Sequence, residues 1–276
     1  MNGAHGRGEH AAGAPRQSFG FTLIEVLAMA VVTLVLLSLA VPGLASVRAS
    51  GRGAQCSSNL RQLGMASLLY SSHNRDQMPA AVLYRIVDGG LATAAWDTEQ
   101  RPDGSVRPGP IWSYTDSPGE ILQCPDFTGP STFGSDPFTG YNYNTSYIGA
   151  EGRFPELGPD GQWLDGWKNA RRGLPPSAHR RTSECAIFGD AGWKGGANKF
   201  MRAPSADVEQ DLGIAYSGGQ AFRHRSCAHV VYLDGHVRPC DRCCEGMHAT
   251  PDLLDAIMGA PANGFLSDDD SAYDPR

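Results

Sequence analysis

The sequence has no excess of positive charge, no internal repeat and no long low-complexity tract. Its 276 residues carry 23 lysines and arginines against 29 acidic residues, which gives a net charge of -6. Because a phosphate backbone is bound by clustered basic side chains, this balance argues against nucleic acid as a partner. The length allows one or two domains with a sizeable core, and 34 glycines and 19 prolines are typical of a loop-rich globular protein.

The sequence also lacks the common catalytic motifs. It contains no nucleophile elbow, no His-Glu-X-X-His metal motif and no phosphate-binding loop. The sequence therefore predicts a protein that is not an enzyme and that needs no cofactor.

Long apolar runs are absent except for one near the N-terminus. Between Phe21 and Val47 the only side chain that can ionise is Glu25. A run of more than about 18 apolar residues predicts a transmembrane helix, here over residues 21–47. The alternative is a secretory signal peptide, but its apolar region usually has about 7–15 residues and no carboxylate. A charge inside a bilayer costs about 2.5–3.5 kcal/mol, so Glu25 is either a functional residue or one that snorkels to the interface.

The run opens with Gly20-Phe21-Thr22-Leu23-Ile24-Glu25, after a short polar leader with basic residues. This stretch resembles the N-terminal signal of type IV pilin-like proteins, which include the pseudopilins of type II secretion. The resemblance implies that a prepilin peptidase removes the leader, residues 1–20, by cutting between Gly20 and Phe21, and that Phe21 is then N-methylated. It also implies that Glu25 pairs with the terminal amine of a neighbouring subunit. Such a cation would neutralise the carboxylate inside lipid.

The charges around the run predict its orientation. Arg7 and Arg16 precede it, which favours a cytoplasmic N-terminus. The resemblance then implies a single-pass inner-membrane protein with a periplasmic head. Its partners would be the peptidase, other pilin-like subunits of the same fibre and a secretion assembly platform.

After the apolar run, residues 48–78 carry apolar side chains three or four positions apart. This spacing predicts that the helix continues as an amphipathic one. Gly51 and Gly53 predict a bend or a looser turn, and Asn74 to Pro79 should end the helix. The predicted stripe consists of Leu60, Leu63, Ser67 and Tyr70, widened by Met65, Leu68 and Leu69.

Residues 79–249 contain frequent Pro-Gly, Asp-Gly and Gly-Gly dipeptides between short apolar stretches, which predicts a β-rich head with extended loops. Together with the helical pattern this predicts an α+β fold, and the resemblance implies that it is pilin-like. A long N-terminal helix, membrane-spanning in its first half, packs on an antiparallel β-sheet with large loops. The predicted strands are Ala81–Val87, Glu120–Cys124, Tyr141–Ile148 and Cys185–Phe188.

Residues 222–240 predict a β-hairpin, with Asp234-Gly235 in a type I′ turn. His224, nine further residues and Asp234-Gly235 resemble the C-terminal H-X9-DG signature of a pseudopilin subgroup with large, variable heads. His224 could reach Asp234 across the hairpin, where the pair could stabilise the turn, orient a metal or serve acid-base chemistry. Stabilisation of the turn is the favoured role, because no catalytic motif accompanies the pair.

Seven cysteines belong to a chain whose head the resemblance places in an oxidising compartment. An odd number leaves at least one thiol free or paired between chains. We predict a disulfide between Cys56 on the helix and Cys124 on the sheet, and further pairing around the hairpin among Cys227, Cys240, Cys243 and Cys244. The alternative for the last group is a zinc site of Cys240, Cys243, Cys244 and His248, although one Cys-X2-Cys is only half of the usual arrangement.

Residues 250–276 predict a short helix that begins near Thr250, followed by a solvated acidic tail at Asp268 to Asp270. Two other functions remain open. One is a membrane-anchored module that binds carbohydrate or DNA, and the other is an envelope hydrolase with an uncleaved anchor. The binding module would use loops around Trp96, Trp112, Trp163, Trp167 and Trp193.

Overall fold

The computed structural model describes residues 20–116, 118–131, 136, 138, 140–152, 156–164, 173–193, 196–205, 218–247 and 262–276. The chain forms two compact units, one ending at Arg48 and the other beginning at Ala49. The α-helices are α1 (Leu23–His73) and α2 (Pro118–Ile121), and short 3-10 helices span Pro110–Tyr114, Pro176–Ala178 and Asp270–Ala272. The strands are β1 (Val82–Val87), β2 (Gly90–Ala95), β3 (Thr98–Gln100), β4 (Val106–Pro108), β5 (Tyr141–Asn144), β6 (Glu156–Leu157), β7 (Trp163–Leu164), β8 (Ala186–Asp190), β9 (Phe200–Met201), β10 (Gln220–Ala221), β11 (Ala228–Tyr232), β12 (Val237–Cys240) and β13 (Asn263–Gly264).

The first unit consists of the apolar part of helix α1. Its large apolar side chains are exposed along the whole stretch, from Leu23 at 86% to Val47 at 68%. Within the described residues, α1 is the one helix long and apolar enough to cross a membrane. It ends at His73, as predicted, but no looser turn forms at Gly51 or Gly53. Packing of the following turns onto the head stabilises the helix beyond the weak propensity of these glycines.

The second unit contains the rest of α1, which packs on a five-stranded sheet. Cys56, Leu60 and Leu63 are fully buried in one hydrophobic cluster with Ile187 and Val231 of the sheet. The predicted stripe is confirmed at Leu60, Leu63 and Ser67, but its predicted widening at Met65 and Leu69 is wrong because both are exposed.

The five-stranded sheet has the order β12-β11-β8-β5-β9. Its pairs are antiparallel except β5 with β9, which is parallel. Successive side chains of a strand point to opposite faces, so Val231 packs with α1 whereas Val230 and Tyr232 pack in a second cluster. The sheet is thus covered on both faces, and the predicted α+β fold with a helix on a largely antiparallel sheet is confirmed.

Two of the predicted strands differ from the structure. Glu120–Cys124 is not a strand, because Pro118 opens the short helix α2 and a proline favours a first helical turn. The strand predicted over Tyr141–Ile148 ends at Asn144. The side-chain oxygen of Asn144 accepts a hydrogen bond from the N–H of Tyr147 at 3.1 Å, and this turn leads the chain away from the sheet. Strands β1 and β8 agree with the predictions to within a few residues.

The described end of the chain, residues 262–276, combines buried side chains with exposed ones. Phe265 and Tyr273 are fully buried in the second cluster. The amide of the buried Asn144 donates a hydrogen bond to the carbonyl of Tyr273 at 2.9 Å, and Asp270 accepts one from the N–H of Ser205 at 3.0 Å. The expected solvated tail is confirmed at Asp268 and Asp269, which are exposed, and is wrong at Asp270 and at the buried residues on either side. The expected helix from Thr250 lies outside the described residues.

Candidate functional site

The predicted processing site lies at the start of α1. Gly20 and Phe21 are exposed, and the helix begins two residues later. Thr22 and Glu25 form a capping box: one Glu25 carboxylate oxygen accepts hydrogen bonds from the N–H and the hydroxyl of Thr22, both at 2.8 Å. A threonine followed three residues later by a glutamate satisfies N–H groups that a helix start leaves without partners. Glu25 thus has a partner inside its own chain.

The two halves of the H-X9-DG signature lie at different places. His224 precedes strand β11 and contacts Cys124, Asp126 and Asp190. Asp234 follows the strand, and its carboxylate accepts a hydrogen bond from the N–H of His236 at 3.1 Å. A five-residue strand spans about 17 Å, so His224 does not reach Asp234 across the hairpin.

The predicted hairpin is confirmed, although its turn differs. Strands β11 and β12 pair from Ala228 with Cys240 to Val231 with Val237. The N–H of Gly235 donates to the carbonyl of Tyr232 at 2.8 Å, and Gly235 has φ +86° whereas Asp234 does not have a positive φ. A type I′ turn needs positive φ at both central residues. Leu233-Asp234-Gly235 is instead a three-residue loop in which only the glycine is left-handed.

His224 belongs to a buried group that we call the four-ligand cluster: Cys56, Cys124, Asp190 and His224. One potential ligand atom from each of them lies within 4.8 Å of all the others. The Cys56 and Cys124 sulfurs lie 3.3 and 3.6 Å from Asp190 Oδ1, and the Cys124 sulfur lies 3.6 Å from His224 Nε2. The cluster joins four segments: helix α1, the loop after α2, the end of β8 and the loop before β11.

Neighbouring groups hold the members of the cluster in place. The second oxygen of Asp190 accepts a hydrogen bond from the N–H of His229 at 2.7 Å, and the His229 ring stacks on His224 with centroids 4.6 Å apart. His224 Nδ1 lies 2.8 Å from Asp126 Oδ2, and Asp126 also pairs with Arg52 of α1. His224 Nδ1 makes no hydrogen bond to the described residues, so the ring is positioned by the contacts of Nε2 with Asp190 and Cys124 and by stacking on His229.

The cluster shifts the pKa values of its own groups. A hydrogen bond from Cys56 lowers the pKa of Cys124 to about 6; burial opposes this and His224 adds to it. Burial raises the pKa of Cys56 well above its ordinary range, and Cys124 and Asp190 add to the effect. Burial acts to lower the pKa of His224, but Asp190 and Cys124 outweigh it and raise the pKa to about 10. The cluster therefore favours a thiolate at Cys124, the form of cysteine that binds metals and attacks electrophiles.

A surface cavity of about 510 Å³ lies over the histidine side of the cluster. Its described lining includes Arg52 and Gly53 of α1, together with Asp126, His224 and His229. A side chain at Gly53 would begin 3.4 Å from the His229 ring, so glycine lets the helix approach the two histidines. Cys124 is 1% exposed and is not one of the described residues that line the cavity. The envelope-hydrolase alternative therefore finds no accessible nucleophile in this cluster.

All seven cysteines are thiols in the structure. Cys56 and Cys124, which we predicted to pair, lie side by side in the four-ligand cluster, and their disulfide stays a prediction. The other cysteines have separate surroundings: the thiol of Cys185 donates to the carbonyl of Tyr273 at 2.9 Å, and Cys240 lies 3.3 Å from the Tyr232 hydroxyl. Of the alternative zinc site, Cys240, Cys243 and Cys244 are described, and His248 lies outside the described residues.

The three tryptophans whose side chains the structure describes, Trp96, Trp112 and Trp193, offer little surface for a ligand. Trp96 and Trp193 are buried at 1% and 7% exposure. Trp112 is half-buried and packs edge-on against Phe138 with ring centroids 5.5 Å apart. Trp167 lies outside the described residues. The described side chains thus serve packing, which weakens the argument for a binding module based on aromatic loops.

The sequence predicted that Cys56 and Cys124 lie together, but it did not predict Asp190 as their neighbour and it paired His224 with Asp234 instead.

Comparison with protein-family models, with curated proteins and with solved structures finds no match to this chain.

Proposed function

We propose that this protein is a pilin-like structural subunit that is processed by a prepilin peptidase and assembled into a pseudopilus or pilus-like fibre serving protein secretion. The observation that carries the proposal is helix α1. Its first part is apolar and exposed to Val47, and Glu25 is the only ionisable side chain from Phe21 to that point. The same helix then continues into the hydrophobic core of a β-rich head.

The chemistry of the helix start supports the assembly role. Exposed apolar side chains over more than 20 residues are stable in lipid or against the same surface of other subunits. The capping box reduces the cost of holding the Glu25 carboxylate in lipid before assembly, because two hydrogen bonds from Thr22 satisfy one of its oxygens. After cleavage, the amine of a neighbouring Phe21 would add the charge that the capping box does not supply.

Co-expression with a prepilin peptidase tests the proposal. We expect the full-length chain to be converted to a product that lacks residues 1–20, and Gly20→Val to block this conversion. Gly43→Val is the matched control, because Gly43 also has nothing within 4 Å of an added Cβ yet lies away from the cleavage site. Conversion of Gly20→Val as efficient as that of the control would contradict the proposal.

A further inference from the structure

The four-ligand cluster has the chemistry and the spacing of a metal site. Zinc is held in proteins by thiolate sulfur, imidazole nitrogen and carboxylate oxygen, usually four in a tetrahedron. A zinc ion at about 2.3 Å from sulfur and about 2.0–2.1 Å from nitrogen or oxygen places neighbouring ligands about 3.3–3.8 Å apart. Four of the six separations in the cluster fall in this range: 3.3 and 3.6 Å from the Cys56 and Cys124 sulfurs to Asp190 Oδ1, 3.6 Å from Cys124 to His224, and 3.4 Å from His224 Nε2 to Asp190 Oδ2. All four ligand groups lie within 4.8 Å of one another.

We propose that Cys56, Cys124, Asp190 and His224 bind one zinc ion that fastens helix α1 to the β-sheet of the head. Two sulfurs, one nitrogen and one oxygen suit a borderline cation, whereas calcium and magnesium prefer oxygen ligands alone. With four protein ligands the coordination is complete, as is typical of structural rather than catalytic zinc.

The surroundings of the cluster supply groups that commonly support a zinc site. A histidine that binds zinc usually donates from its other ring nitrogen to a carboxylate; Asp126 Oδ2 lies 2.8 Å from His224 Nδ1 but is not aligned for a hydrogen bond in this structure. The carboxylate of Asp190 is oriented through its second oxygen by the N–H of His229. Two ionised thiols and one carboxylate carry three negative charges against the two positive charges of zinc. Arg223, whose guanidinium lies 3.8 Å from Asp190, balances the remaining one.

A disulfide between Cys56 and Cys124 would use the same sulfurs but leave the site less well satisfied. The thiol of Cys56 lies 3.3 Å from Asp190 Oδ1, and a disulfide has no S–H to donate. The carboxylate of Asp190 has no exposure to solvent, so the loss of this donor is costly. A metal ion instead contacts all four groups at once.

The cavity described above supplies access from solvent. It reaches His224 between Gly53 of α1 and Asp126, while the sulfurs stay buried. An ion that enters past the histidine would thus be held on the inner side by sulfur and carboxylate.

Metal analysis of the full-length protein tests the proposal. The protein is extracted in detergent under a reductant that does not bind metals, and its metals are measured by mass spectrometry. We expect about one zinc per chain, at least tenfold less in Cys124→Ser and in Asp190→Asn, and full occupancy in Cys243→Ser. The last variant removes an exposed cysteine outside the cluster, so zinc lost from it and kept in Cys124→Ser would overturn the assignment.

A second measurement does not depend on how the variants fold. Unaltered protein is stripped with a chelator and reloaded with cobalt. We expect a thiolate-to-cobalt absorption band to appear, the unfolding temperature to fall on stripping and to recover with zinc. An unfolding temperature that does not respond to metal, or a Cys56–Cys124 disulfide in cells alkylated directly on lysis, would overturn the proposal. Either result leaves the proposed fibre function untouched, because that function depends on residues 20–47.

Discussion

The Nε2 atom of His224 lies 3.4 Å from a carboxylate oxygen of Asp190, at the end of the central strand β8. The histidine of the H-X9-DG signature therefore connects the loop before β11 to the middle of the sheet. The aspartate of the signature, ten residues later, serves the hairpin loop instead. The two residues act at opposite ends of one strand.

This separation predicts energetic independence of His224 and Asp234. In a double-mutant cycle, the destabilisation caused by His224→Ala and Asp234→Ala should add within about 0.5 kcal/mol, as for distant sites. The matched cycle with His224→Ala and Asp190→Asn should show a coupling of about 0.5–3 kcal/mol, because these side chains touch. Urea unfolding of the detergent-solubilised protein measures both. Strong coupling in the first cycle and none in the second would refute this assignment of partners.

Replacing Gly51 or Gly64 of helix α1 with alanine should change the stability of the protein in opposite directions. An added Cβ at Gly64 would lie 2.8 Å from Val231 Cγ2, whereas nothing lies within 4 Å at the exposed Gly51. Both changes to alanine gain helix propensity, which should stabilise Gly51→Ala by about 0.5–1 kcal/mol. Gly64→Ala should be destabilised by about 1 kcal/mol, because overpacking outweighs that gain. Unfolding free energies that rise equally in both variants would show that the helix does not approach the sheet so closely.

A buried group of three charges predicts a pH dependence. Lys199 Nζ lies 2.7 Å from Asp97 Oδ1 and 2.9 Å from Asp136 Oδ2. Burial, followed by the charge of Asp97, raises the pKa of Asp136 to about 6. Because the folded protein then binds this proton more tightly than the unfolded chain, the contribution of Asp136 to stability is fully present below about pH 4 and is lost as the pH rises through 6.

Between pH 5 and pH 7 this loss amounts to about 1 kcal/mol. Asp136→Asn should remove it and so flatten the pH dependence of the unfolding free energy over that range. Asp103→Asn is the control, since Asp103 is exposed and should leave the slope unchanged. An identical slope in the unaltered protein and in Asp136→Asn would mean that the carboxylate is ionised throughout.

The capping box at the start of α1 separates two roles of Glu25. Glu25→Gln keeps a side-chain oxygen that can accept from Thr22 but loses the charge, whereas Glu25→Ala loses both. If the charge pairs with a neighbouring subunit, both variants should be inserted and cleaved yet assemble poorly, as measured by fibre recovery after shearing. Normal assembly of Glu25→Gln would show that the charge of Glu25 is not needed for assembly and that its role is helix capping.

Features set by neighbouring residues were predictable from the sequence. The apolar run, the turns that end it and the Asp234-Gly235 hairpin all depend on side chains within a few positions of one another. The four-ligand cluster was not, because its members are separated by up to 168 positions and meet only when β8 lies beside β11. The sequence did not mark Asp190 as a site residue, since an acidic residue commonly follows an apolar stretch where a strand gives way to a loop. The turn type was missed because Asp234 tolerates positive φ without requiring it.

The mass of the mature protein tests the central claim most directly. The native chain is extracted from membranes of cells that contain the processing enzymes, and its intact mass and N-terminal residue are determined. We predict a chain that begins at Phe21 and carries one methyl group on its terminal amine. A chain that begins after Ala40 or Ala45 would identify residues 21–47 as a signal peptide and contradict assignment to a pilin-like fibre.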